Sequence, residues 1–164
     1  MALIPRMLTA TEVAALCREL TRHRCTARQV RHLLVTGGLA ADARRRPNGQ
    51  TRLYTVVDVA LVRLALTLHA EGISPWVARV VLTYLKNDLV RTWKAGAATA
   101  LSIAGVHGFI QPAVRTPPAG VSAYVPLREI WRGLESDVQR VTAGRPTVWM
   151  WREVSVDAVP RTTA

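Results

Sequence analysis

Hydrophobic residues return at every third or fourth position through the first half of the chain, and the rhythm changes in the second. Val13, Leu16, Cys17 and Leu20 make one face of a helix that Thr9 and Glu12 open with a capping box, each side chain satisfying a free backbone N–H of the other residue. Val30, Leu33 and Leu34 make the face of a shorter helix that starts after Thr26, a cap residue, and that Gly37-Gly38 is placed to close. Residues 56–70 carry Val59, Val62, Leu66 and His69 with Leu61, Leu64, Ala65 and Leu68 between them, so much of that helix must be buried. Thr55 caps it, and Asp58 stands in its first turn, where the helix dipole favours a negative charge. After Gly72, Ser74 caps a further helix and Pro75 takes its first position, where no N–H is needed. Val77, Val80, Val81, Tyr84 and Leu85 carry that helix on towards Trp93.

Residues 94–98 read as a linker, and beyond them the period shortens. Segments 99–104, 106–110 and 121–125 are expected as strands, with Pro117-Pro118 in a loop between the last two. Pro126 opens an amphipathic helix with Leu127, Ile130, Trp131, Leu134, Val138 and Val141 on one face, closed at Gly144, and residues 147–156 alternate like a final strand. The expected fold class is α+β, divided into residues 8–93 and a small α+β domain at 98–157. The apolar stripe after Pro126 is larger than so small a domain readily covers, so it is expected to serve assembly. Trp131, Trp149 and Trp151 are expected in a core or dimer interface rather than around an effector.

Charge changes the picture between the second and third helices. Arg44-Arg45-Arg46, Pro47-Asn48-Gly49 and Arg52-Leu53-Tyr54 follow one another, and Asn-Gly between two short runs signals a hairpin. From residue 18 to 52, nine arginines (18, 22, 24, 28, 31, 44, 45, 46 and 52) stand against Glu19 and Asp42, an excess of seven within a chain of formal charge +11. Arginine serving only as soluble surface would not concentrate in this way. A short helix with Arg28, Gln29, Arg31 and His32 off its apolar face, followed by a basic hairpin, is what a winged helix-turn-helix uses to hold duplex DNA. The helix offers donors to base edges and the hairpin offers guanidinium groups to phosphates. The DNA-contacting set expected is Thr26, Arg28, Gln29, Arg31, His32, Arg44, Arg45, Arg46, Asn48, Arg52 and Tyr54.

Thr9-x-x-Glu12-Val13-Ala14, Thr26-x-x-x-Val30-Arg31-x-Leu33-x-x-x-Gly37-x-Leu39, Arg45-x-Pro47-Asn48-Gly49 and Arg52-Leu53-Tyr54-x-x-x-Asp58-Val59 stand in this order, with Leu64 and Gly72-Ile73-Ser74 after them. Over residues 8–85 the chain resembles the DNA-binding domain of MerR-type transcriptional regulators. Where that family carries two tyrosines this chain has His32 and Leu33, so the phosphate contact of the first falls to His32 or is lost. The resemblance implies a homodimeric bacterial regulator, cytoplasmic and nucleoid-associated, with double-stranded DNA as its ligand and RNA polymerase as a candidate further partner. Two other readings stay open: an excisionase-like architectural DNA-binding protein, and a MerR-like module turned to a protein partner.

Composition narrows the rest. The chain has 164 residues, and a hydrophobic fraction of 49% argues against general disorder. A pI near 11.3 favours a polyanionic partner. No apolar run approaches the ~20 residues of a membrane span, so no membrane partner is expected. Cys17 and Cys25 are the only cysteines; Cys17 continues an apolar face, which favours a buried small hydrophobe over a metal ligand. No nucleophile, base and carboxylate stand at supporting spacings, so neither enzymatic activity nor a cofactor is expected.

Overall fold

Thr9 and Glu12 do close a capping box, with Glu12 Oε2 accepting from Thr9 N at 2.8 Å and Thr9 Oγ1 from Glu12 N at 3.4 Å. The first helix, α1, then runs Ala10–Thr21. A computed structural model of the protein describes residues 8–21, 24–36, 39, 44–45 and 52–143. After α1 come α2 (Ala27–Arg31), which continues into a π-helical turn (His32–Thr36), and strands β1 (Arg44–Arg45) and β2 (Arg52–Leu53). Helices α3 (Val56–Ala70) and α4 (Pro75–Ala95) follow. The chain then forms β3 (Thr99–Ala104), β4 (His107–Pro112), β5 (Ala123–Pro126), α5 (Leu127–Trp131) and α6 (Leu134–Thr142). The architecture is α+β.

The longest buried element is α3. Every residue from Val56 to Ala65 is buried, Asp58 and Arg63 included. Asp58 is accommodated because its carboxylate accepts from Thr55 N at 2.7 Å and from Thr55 Oγ1 at 3.1 Å, the reciprocal cap that starts the helix. Arg63, with no exposed surface, donates to Leu16 O of α1 at 3.0 Å and to Ile130 O of α5 at 3.2 Å, and approaches Asp137 Oδ2 of α6 at 3.5 Å. One guanidinium thus ties three elements to α3. Buried charge is tolerated only where pairing and hydrogen bonds replace water.

The second sheet has strand order β4-β3-β5, antiparallel throughout, with Leu101 facing Ile110 on one side and Val125 on the other. Leu101, Ile103, Ala123 and Val125 join the same cluster of buried side chains as Leu16, Val30, Leu64 and Leu89, so a continuous core runs from α1 to α6. The loop after β4 is fastened by Tyr124, whose hydroxyl accepts from Val114 N at 2.7 Å and donates to Val114 O at 3.0 Å.

Two expectations change here. The single helix after Pro126 is two helices, because Gly133 adopts φ +68, a left-handed conformation that breaks the helix between α5 and α6. The stripe expected to serve assembly is occupied within the chain: Leu127, Ile130, Leu134 and Val138 are buried, and Trp131 stacks on Trp93 of α4 with ring centroids 5.4 Å apart. The expected strand at 147–156, with Trp149 and Trp151, lies outside the described residues. Exposed apolar surface is found instead on α4, at Trp76, Val80 and Tyr84.

The sheet meets α4 at Gly108, where an added Cβ would run into the side chain of Val81. Gly108→Ala should therefore destabilise the protein by about 1–3 kcal/mol through overpacking. Val81→Ala in the same chain should recover much of that loss, so the double variant should lose less than the two single losses together. Urea denaturation of the four proteins checks this, and strict additivity would contradict the contact.

Candidate nucleic-acid interface

The segment that carries the expected contacts starts at a cap. Thr26 Oγ1 accepts from Gln29 N at 3.2 Å, and Gln29 Oε1 accepts from Thr26 N at 2.9 Å and from Thr26 Oγ1 at 3.1 Å. Behind it, Arg18 of α1 donates Nε–H to Cys25 O at 2.6 Å and so pins the approach to α2. Val30 and Leu34 are fully buried and Leu33 is half-buried, which anchors one side of the helix against the core. Arg28, Gln29, Arg31 and His32 are exposed on the other side, and Arg24 is exposed just before the helix. The apolar spacing had placed these side chains off the packed face, and there they stand.

The π-helical turn was not legible in the spacing. From His32 to Thr36 the backbone widens from the i, i+4 pattern to i, i+5. That turn still buries Leu34, and it keeps His32 in solvent beside Arg28.

Gln29 has a second duty that alters what it can recognise. Its side-chain oxygen already accepts two hydrogen bonds, the number its lone pairs allow. Pairing with adenine needs both the amide oxygen and the amide NH2, so that mode would break the cap. In this arrangement Gln29 offers donors only, which suits acceptor edges such as those of guanine.

Strands β1 and β2 pair antiparallel, Arg44 with Leu53 and Arg45 with Arg52. Just past β2, Leu8 and Tyr54 exchange backbone hydrogen bonds across an isolated antiparallel bridge. Arg46 and Asn48, at the expected tip, lie outside the described residues, as do the side chains of Arg44, Arg45 and Arg52. Tyr54 is a correction. Its side chain is 1% exposed and belongs to the core, so it supports the base of the hairpin and presents no surface to a ligand. Aromatic residues at the end of a basic strand serve either purpose, and only burial in the packed core distinguishes them.

Cys17 and Cys25 are both buried thiols. A hydrogen bond to Cys25, together with burial, pushes the Cys17 thiol well above the ordinary range. A thiol in that state is a poor nucleophile and a poor metal ligand. No group of three or more His, Cys, Asp or Glu side chains that could hold a metal occurs among the described residues. No described helix is long and apolar enough to cross a membrane.

The spacing also missed Trp76 and Arg79. Both stand on the side of α4 that faces α2, where they share a cleft with Gln29 and His32. Their signal was masked because Trp76 falls one residue after the helix start, in a run otherwise read for its buried positions. Set against known proteins, the chain matches no family model, no curated protein and no solved structure.

Proposed function

We propose that this protein is a sequence-specific DNA-binding regulator of transcription, with α1, α2 and the β1–β2 hairpin acting as a winged helix-turn-helix. The observation that carries the reading is the two-sidedness of α2. Val30 and Leu34 hold it rigidly to the core while Arg28, Arg31 and His32 stand in solvent, and the hairpin that follows in the chain contributes three arginines from its strands. A rigid helix with unsatisfied donors can read base edges, and guanidinium groups beside it can hold phosphates. The protein acts as a homodimer, because two-fold operators require one recognition helix for each half-site. Val80 and Tyr84, exposed on α4, are surface that a second copy would cover.

The test is selection of duplexes from a randomised pool by the full-length protein, followed by titration at several salt concentrations. Affinity for the selected duplex should fall by about 10³-fold or more between ~50 and ~200 mM salt, as phosphate contacts release counterions. Arg28→Ala should relax preference at one base pair by ~1–3 kcal/mol. It is the cleaner substitution than Gln29→Ala, which would also open the cap. Failure to select any duplex, or binding indifferent to salt, would refute the reading and favour a protein partner.

A further inference from the structure

We infer that the cleft between the π-helical turn, the end of α3 and the start of α4 is a binding site for a small aromatic carboxylate. Its volume is about 410 Å³, room for a bicyclic ring system. Leu39, Ala65 and Ala78 are buried beneath it and make an apolar floor. Around the rim stand His32, His69, Arg79 and Trp76, all exposed, with Trp76 56% accessible. None of the described lining residues is acidic.

The rim is chemically unspent. Among the described residues the side chains of Arg79, His32, His69 and Trp76 have no hydrogen-bond or ion-pair partner, although together they present a permanent cation, two imidazoles and an indole N–H. Donors and positive charge at the edge of an apolar floor call for a ligand with a flat apolar body and an anionic end. A guanidinium fork matches a carboxylate in shape as well as charge, and the indole face can stack on the ring. A cationic ligand would meet Arg79 with no carboxylate to offset it.

The site borders the exposed side of α2, since Gln29 and His32 line it too. Occupancy would therefore bear on whatever α2 contacts. The cleft does not depend on the DNA reading, and its test omits DNA so that the two can fail separately.

The experiment is calorimetric titration of the full-length protein with 1-naphthoate, and with 1-naphthamide as the neutral counterpart of equal size. Naphthoate should bind one to one with a Kd no weaker than about 1 mM, a modest demand for a ligand of this size. Naphthamide should bind several-fold more weakly. Arg79→Ala should cut naphthoate affinity by about tenfold, the worth of a charge-assisted hydrogen bond at a rim, and leave naphthamide unchanged. Trp76→Ala should weaken both ligands. Arg79 and Trp76 are exposed, so both variants should keep the parent's thermal midpoint, which separates loss of the site from loss of the fold. Absence of saturable binding, equal affinity for the two ligands, or indifference to Arg79→Ala would overturn the proposal. So would a naphthoate affinity that falls as protein concentration rises, since a second copy would then be the occupant of the Trp76 surface.

Discussion

Arg63→Ala should cost the fold about 3–5 kcal/mol, the range for breaking a buried charged contact by removing one partner. The guanidinium has no exposed surface and reaches α1 through Leu16 O, α5 through Ile130 O and α6 through Asp137. Alanine would leave two carbonyls without that donor, a void where the side chain lay, and a carboxylate whose buried partner is gone. Arg63→Met should recover part of the loss, because it fills much of the volume and removes the charge, yet it restores no donor to Leu16 or Ile130. Asp137→Ala should cost less than Arg63→Ala, since the Asp137 side chain is 24% exposed and its pairing is screened. Guanidinium denaturation of the three variants measures these differences. A loss under about 1 kcal/mol for Arg63→Ala would show that the tie between α3 and the last two helices is dispensable.

Removing the hairpin's positive charge should have the largest effect on the proposed DNA binding. With Arg44, Arg45, Arg46 and Arg52 all replaced by alanine, the slope of log affinity against log salt should become shallower by about 3–4, close to one unit for each phosphate no longer neutralised. Over a fourfold rise in salt the parent's affinity should then drop by about two orders of magnitude more than the variant's. The order of preference among duplexes should survive, because phosphate contacts position the protein and carry no base information. Titrations at four salt concentrations, on a preferred and an altered duplex, separate the two effects. A variant with reordered preferences and an unchanged slope would place base reading in the hairpin and phosphate binding in α2.

Local chemistry made several elements legible before any tertiary contact was considered. Thr9 with Glu12, Thr26, Thr55 and Ser74-Pro75 each open a helix where their side chains can satisfy free N–H groups, and α1, α2, α3 and α4 begin at those caps. The change to short alternating runs after residue 98 likewise gave three strands, β3, β4 and β5. The division of α2 into a packed side and an exposed side followed from the 3.6-residue period alone.

What the period could not convey is which neighbour covers a given face. The stripe from Leu127 to Val138 had the same spacing whether a second copy or the same chain would bury it, and the structure places it in the chain's own core. Gly133 looked like one more helical residue until its positive φ divided the segment. The role of Arg63 had no signal in the spacing, because the carbonyls that accept from it belong to residues 47 and 67 positions away. Tyr54 and the rim of the cleft have the same origin. Caps, turns and periodicity are set by neighbours a few residues apart and are written in the sequence. The partners of a buried charge, the cover of an apolar face and the walls of a cavity come from distant segments, and only the packed tertiary structure decides them.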